Sequence, residues 1–250
     1  MALSLQYDEA KVVFDYFARH PREPRRAIGN AGVMVDVGAH FGTSLRPYLA
    51  QGWRVIAFEP DSTKLPKLQP YFASPNLTFF RAAVGDQATE AVQFYTSPES
   101  TGIASLVPFR ESHTPSETVA ITTLSIELPK LGIATIDYLK IDTEGYDLQV
   151  LRGHDWSVRP EVIMCEFDEI KTRPQGFTYR ALGDLLLAHD YQVYCSQWAP
   201  LLRYGSGHAW HSVLRYPCEL HHADAWGNFI AVHSYSHVAT MESLIAPHMN

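Results

Sequence analysis

The acidic side chains of this sequence gather where apolar runs end. Tyr138-Leu139-Lys140-Ile141 is followed at once by Asp142, Thr143 and Glu144, then by Gly145, Tyr146 and Asp147. A second apolar run, Glu161 to Phe167, carries Glu166 near its end and Asp168 just beyond. A carboxylate within about 3 Å of a hydroxyl can take its proton as the oxygen attacks an electrophile. Asp142 is the candidate for that base, or for the group that orients it, with Glu144 in support. Capping is a second use for the same residues, because Asp142 and Thr143 can accept from the first N–H groups of a following helix and Glu144 suits its first turn. Hard oxygen donors also suit magnesium. Asp142, Glu166 and Asp168 form a candidate set whose ion would lower the pKa of a bound hydroxyl. His113, close to Arg110 in Pro108-Phe109-Arg110-Glu111-Ser112-His113, is an alternative base if its loop folds over the strand ends.

Two upstream segments carry binding chemistry. In Val33-Met34-Val35-Asp36-Val37-Gly38-Ala39-His40-Phe41-Gly42, an apolar run meets a glycine turn and a helix opening at Thr43 and Ser44. Gly38 and Gly42 let backbone approach a ligand closely, and N–H groups at a helix opening attract an anionic group. Phe58-Glu59-Pro60 places a carboxylate 21 residues after Gly38, about the offset of an acid that accepts both hydroxyl protons of a ribose. A packed turn would explain the first segment alone, and a solvated acid the second. In register, they point to an adenosine ligand. Gly38-Ala39-His40-Phe41 lacks the third glycine of the dinucleotide fingerprint, and no Tyr-x-x-x-Lys pair follows a later strand. Both absences count against a nicotinamide-dependent oxidoreductase, and the clustered acids count against a non-catalytic adenosine-binding module.

These residues need a sheet to hold them. Short β-branched runs alternate with amphipathic ones, the pattern of helices covering a parallel sheet. Strands are expected at residues 33–37, 54–58, 77–82, 136–141, 161–167, 191–195 and 228–233. Helices are expected over 42–50, from a cap at Asp61 through Tyr71, over 146–151, and from a cap at Thr178 through Leu186. Residues 86–135 exceed one crossover and hold two alternating stretches, 91–96 and 118–124, which suit a side hairpin. Residues 196–227 form a long loop with Trp198, Trp210 and Trp226, which could stack on a sugar ring or pack as core. His208, His211, His221 and His222 in the same loop lack an accompanying cysteine or carboxylate pattern for zinc. Loop 97–117 or loop 196–227 would close over the strand ends. The organisation expected is an N-terminal helical cap and linker over 1–31, then a single domain over 32–250.

The 250 residues, 46% hydrophobic and 19% charged, suit a folded chain with an ample core. The 20 basic and 27 acidic side chains give a net charge of −7, which disfavours nucleic acid as a partner. With no apolar stretch near the ~20 residues that span a bilayer and no signal-like start, neither a membrane partner nor secretion is expected. Cys165, Cys195 and Cys218 read as reduced core thiols of a cytoplasmic protein.

Taken together, the segments resemble the FkbM family of S-adenosylmethionine-dependent methyltransferases. The matching residues are Val35-Asp36-Val37-Gly38-Ala39, Phe58-Glu59-Pro60, Ala82-Ala83-Val84-Gly85-Asp86, Thr122-Thr123-Leu124, Leu139 to Gly145 and Val150-Leu151-Arg152-Gly153. The resemblance implies an α/β class I methyltransferase (Rossmann-like) sheet of seven mostly parallel strands, order 3-2-1-4-5-7-6 with the last strand antiparallel. It also implies S-adenosylmethionine as cofactor and O-methylation of a small-molecule or glycan acceptor: a sugar, glycolipid or secondary metabolite. By position, Asp36, Gly38, Thr43 and Ser44 would hold the methionine end and Glu59 the ribose. Ala83, Val84 and Asp86 would edge the adenine, and Asp142 would lie nearest the methyl. His40 stands where the family commonly has Asn, and Ser125 where an Asp is usual.

Overall fold

The computed structural model describes residues 7–20, 31–201 and 207–249. Residues 21–30 of the expected linker and 202–206 of the second long loop lie outside them. Chain order is α1 (Glu9–Arg19), β1 (Val33–Val37), α2 (Arg46–Ala50), β2 (Arg54–Phe58), α3 (Leu65–Leu68), β3 (Leu77–Phe80), β4 (Ala83–Val84), β5 (Thr89–Ser97), β6 (Ser100–Ser105) and β7 (Thr114–Thr122). It continues through α4 (Leu124–Lys130), β8 (Tyr138–Ile141), α5 (Asp147–Arg152), β9 (Val162–Asp168), α6 (Glu169–Thr172), α7 (Tyr179–Ala188), β10 (Tyr191–Trp198), β11 (Trp210–Arg215), β12 (Trp226–His233) and α8 (Val238–Ile245).

Eight strands form the main sheet in the order β11-β10-β12-β9-β8-β1-β2-β3. The neighbours β3, β2, β1, β8 and β9 run parallel, and β12 enters antiparallel between β9 and β10. The first seven positions from β3 therefore reproduce the expected class I order. The eighth strand, β11, is an addition to it. It pairs antiparallel with β10 at the edge, so the expected count of seven is corrected to eight. Its sequence, Trp210-His211-Ser212-Val213-Leu214-Arg215, has only two buried positions, Ser212 and Val213, and so carries little apolar signal.

Both sheet faces are covered, as buried parallel strands require. On one face Val35, Val37, Leu139, Ile141 and Ile163 pack with Leu124, Leu148, Leu151 and Leu182 from α4, α5 and α7. On the other, Met34, Val55, Tyr138, Met164 and Val232 pack with Met241 of α8 and with Val12, Val13, Tyr16 and Phe17 of α1. Each such apolar side chain contributes about 1.5–3 kcal/mol when fully buried. Glu9 of α1 also accepts from Ser196 Oγ and Trp198 Nε1, both at 2.6 Å. α1 thus closes one face of the same core that holds β1.

The side insertion is a four-stranded sheet, β4-β7-β5-β6. The expected hairpin is its β5/β7 pair. β6 arises within a segment expected to be loop and swings residues 101–106 over the ends of β1 and β8. Its Ser105 Oγ donates to the Glu144 carbonyl at 2.9 Å.

Candidate active site

The strands β1, β2 and β8 end side by side, and the turns leaving their carboxyl ends build the first wall of the site. After β1, the chain turns at Gly38 with φ of 82°. A Cβ there would stand 1.9 Å from the Asp142 carbonyl oxygen, so the β1 and β8 ends approach too closely for any side chain. Gly38→Ala is expected to lower stability by about 3 kcal/mol or more, read as a fall in Tm of roughly 6–12 °C by calorimetry. His40 has φ of 48°, a left-handed conformation that His and Asn adopt more readily than most residues. The His for Asn departure therefore preserves the backbone. α2 begins only at Arg46, so Thr43 and Ser44 lie in a turn and not, as expected, at a helix opening.

Glu59, at the end of β2, is buried. One carboxylate oxygen accepts from the His40 N–H at 2.8 Å and the other from the Asp61 N–H at 2.9 Å. Burial pushes its pKa up to about 7 against these two hydrogen bonds. Asp61 caps the next turn as expected, accepting from the Thr63 N–H at 2.8 Å, and pairs with Lys64 at 2.9 Å.

β8 supplies a buried lysine to which the sequence motifs assign no role. Lys140 lies opposite Asp36 in register, and its Nζ is 3.5 Å from Asp36 and 3.3 Å from Asp142. Asp36 is fully buried and takes the Ser44 Oγ–H at 2.6 Å. Burial raises its pKa, with Lys140 and Ser44 opposing. For Asp142, burial acts in the same direction, but the ammonium groups of Lys140 and Lys171 outweigh it and hold the carboxyl below its usual range.

The turn after β8 does not cap α5 through Asp142 or Thr143. Instead, Asp147 accepts from Thr143 N at 3.2 Å and Thr143 Oγ1 at 2.5 Å, while its other oxygen accepts from Glu166 N at 2.9 Å. This clip fixes the β8 and β9 ends together. Glu144 is left in a left-handed conformation, φ 57°, stationed over the strand ends. Its pKa is pushed up to about 7 by burial, with Asp142 acting in the same direction and Lys171 against it. Non-glycine residues in this region of backbone space concentrate at functional sites, and His40 and Glu144 both sit here.

Two cavities result. The first, about 220 Å3, is lined by Gly38, His40, Thr43, Ser44, Glu59, Ala83, Val84, Asp142 and Glu144 among the expected residues. It adds apolar walls from Phe58, Phe94 and Leu106, and cations from Lys64 and Lys140. The second, about 190 Å3, is lined by Ser100, Gly102, Ile103, Glu144, Glu166, Asp168, Lys171, Leu201, His208 and Trp226. Glu144 and Gly102 belong to both.

Some expected residues are not walls of either cavity. Asp36 acts from behind, through Ser44 and Lys140. Asp86 is exposed and outside the lining. His113 is buried in its own loop, with Nδ1 accepting from the Arg110 N–H at 3.2 Å and Nε2 against the Ile103 carbonyl at 2.8 Å, so both ring nitrogens are engaged in the turn. Of the three tryptophans, Trp226 reaches the second cavity. Trp198 is buried and stacked on Trp226 at 5.4 Å, and Trp210 stacks on Tyr7. His211 and His221 stack on each other 3.8 Å apart, away from these walls, and His208 lines the second cavity.

The metal set also changes. The carboxylates whose oxygens converge within 4.8 Å are Asp142, Glu144 and Glu166. Asp168 falls outside this set: one of its oxygens caps α6 through the Ile170 N–H at 2.9 Å and the other faces Lys171. An ammonium already stands against two of these three acids and against Asp168, since Lys171 Nζ lies 2.6 Å from Glu144, 2.8 Å from Glu166 and 3.3 Å from Asp168. The donor types fit magnesium, but the space they enclose does not.

The family model of the FkbM methyltransferase domain matches residues 36–193, well over half of the chain. The chain belongs to the FkbM methyltransferase family. It is therefore a methyltransferase dependent on S-adenosylmethionine, and the oxidoreductase and non-catalytic readings fall away. Among curated proteins none matches the sequence. Similar solved structures include the precorrin-6y C5,15-methyltransferase of Geobacter metallireducens GS-15, at 12% identity, TM-score 0.46, covering 89% of this chain and 86% of that one. Another is the 1,6-didemethyltoxoflavin-N1-methyltransferase of Burkholderia thailandensis, at 13% identity, TM-score 0.39, covering 90% and 80%. A third is the magnesium protoporphyrin IX methyltransferase of Synechocystis PCC 6803, at 11% identity, TM-score 0.41, covering 90% and 77%.

In this FkbM methyltransferase most of the residues expected from sequence line one of the two cavities, while Asp36, Asp86 and His113 line neither, and the charged wall residues without a sequence expectation include Lys64, Lys140 and Lys171. Lys140 stands inside an otherwise apolar strand, a sequence signal of a buried charge needing partners. Lys171 gave no such sign, because its partners arrive from two different strand ends. Ser125, the other departure, donates through Oγ to the Gly153 carbonyl at 2.6 Å and ties α4 to the end of α5. Among the described residues no helix is long and apolar enough to cross a membrane.

Proposed function

We propose that this enzyme methylates a hydroxyl of a sugar, glycolipid or secondary metabolite, with the donor in the first cavity and the acceptor in the second. The observation that carries this reading is Glu144, a residue that lines both cavities. Glu59 would hold the ribose diol, since each of its oxygens accepts one N–H and retains further acceptor capacity. Phe58, Val84, Phe94 and Leu106 offer apolar surface to adenine. The methionine end falls to Gly38, Thr43, Ser44 and His40.

S-adenosylmethionine supplies a methyl group on a positively charged sulfur that is already a good leaving group. Alignment of acceptor oxygen, methyl and sulfur is then the main contribution of the protein, worth up to about 7–11 kcal/mol in favourable models. Asp142, held ionised by Lys140, places negative charge beside that positive end. Glu144 takes the acceptor proton as the oxygen forms its new bond to carbon. These roles reverse the sequence expectation, in which Asp142 is the base and Glu144 its support, and the reason is the pKa near 7 of Glu144. A base is most effective when its pKa lies near the working pH.

A base must be unprotonated to act. Turnover at saturating substrate is therefore expected to rise with pH through about 7 and level off above it, in a steady-state pH profile. Calorimetry with S-adenosylhomocysteine and NAD should show binding of the first only. Release of S-adenosylhomocysteine with a panel of polyols, glycolipids and hydroxylated metabolites then tests the acceptor. A product methylated on nitrogen or carbon would overturn the O-methylation reading.

A further inference from the structure

We propose that Lys171 is a resident cation filling a carboxylate cage of the kind that binds a divalent metal, so that this enzyme works without one and gains a metal site when the lysine is removed. The side chain is almost wholly buried, with 4% of it exposed, and its Nζ points into the space among Glu144, Glu166 and Asp168. Nitrogen-to-oxygen distances of 2.6 and 2.8 Å to Glu144 and Glu166 are those of charge-assisted hydrogen bonds, so the ammonium occupies the position between the two carboxylates that a bridging cation would need. The two cations cannot share the cage.

Three features build the lysine in. Gly145 has φ of 99°, and a Cβ on it would come within 2.8 Å of Lys171 Cβ, so the lysine stem passes where any other residue would carry a side chain. Gln175 Nε2 donates to the carbonyls of both Gly145 and Lys171, at 2.8 and 2.9 Å, and locks the two segments together. Phe109, from the loop between β6 and β7, lays its ring 5.5 Å from Nζ, which favours a positive charge there. Lys171 is thus a positioning residue. It acts through Glu144, holding that carboxylate over the junction of the two cavities and offsetting the repulsion among Asp142, Glu144, Glu166 and Asp168. For its bearing on turnover, this inference rests on the reading of Glu144 given above.

The test compares the full chain with Lys171→Met, which keeps the stem and removes the charge. Manganese alone is the probe, read by the loss of its free-ion electron paramagnetic resonance signal and by the shift in Tm. The variant is expected to bind one ion per chain at least about tenfold more tightly than the unaltered protein and to gain Tm on adding it. Turnover of the unaltered enzyme should survive prolonged treatment with a chelator. If Lys171→Met does not accumulate as folded protein, Lys171→Gln replaces it with the same expectations. Equal manganese binding by the unaltered chain, a folded variant that binds none, or turnover lost to the chelator would each overturn the proposal. The manganese measurement uses neither donor nor acceptor, so a wrong acceptor class leaves its outcome intact.

Discussion

Glu144→Gln is expected to lower kcat by about 10²- to 10⁴-fold while leaving affinity for S-adenosylhomocysteine within about threefold, the range that removal of a positioned base produces. Glutamine keeps the shape of the side chain and tolerates a φ of 57° about as well as glutamate. Lys171 retains Glu166 and Asp168 after the change, so the local charge balance shifts without leaving the ammonium alone. The variant should also lose the rise of turnover through about pH 7, because the group that titrates there is gone. Single-turnover kinetics over pH 5.5–9 separates this from a binding defect. A variant that keeps full kcat would move the proton to another acceptor, with Asp142 next in line.

How much of this is legible in the sequence depends on which interactions are local. Val33–Val37 and Arg54–Phe58 appear at their expected bounds because short apolar runs rich in β-branched residues between turn residues, interrupted only by Asp36 and opened by Arg54, can be little else in a parallel sheet. Glu59 and Gly38 stand out because each comes directly after such a strand. The order of the sheet came only from the family resemblance, since periodicity does not say which strands are neighbours. β6 escapes notice because its sequence, Ser100-Thr101-Gly102-Ile103-Ala104-Ser105, has one large apolar residue and is held by pairing with β5. Thr178 does stand at the N-cap of α7, yet its side chain makes no capping hydrogen bond, and the first N–H of the helix, that of Tyr179, goes at 2.6 Å to Glu169, a partner ten residues back. Lys171 is invisible for the same reason. Its meaning lies in Glu144 and Glu166, which reach it from two different strand ends.

Glu59→Gln is expected to weaken S-adenosylhomocysteine binding by roughly 30- to 1,000-fold. The carboxylate can accept both ribose hydroxyls in charge-assisted bonds of about 1.5–3 kcal/mol each, and an amide can accept only one, without charge, so about 2–4 kcal/mol is lost. The amide also turns an N–H donor toward the backbone N–H of either His40 or Asp61, where the native carboxylate accepts from both. Because burial lifts the Glu59 pKa to about 7, the native site is partly protonated near neutral pH and binds best once charged. Affinity of the native chain should therefore strengthen as pH rises from 6 to 8, and that trend should vanish in the glutamine variant. For the empty protein the sign runs the other way. A carboxyl whose folded pKa is raised contributes stability that is fully present below its unfolded value near 4.5 and is lost as pH climbs through about 7. Donor affinity thus grows over the same pH interval in which Glu59 withdraws its support from the empty fold, the behaviour of a buried acid whose charge is stabilised by its ligand rather than by the protein. Titration calorimetry at pH 6, 7 and 8 on both chains reads the affinity, and a glutamine variant binding within threefold of the native chain at every pH would remove Glu59 from the ribose.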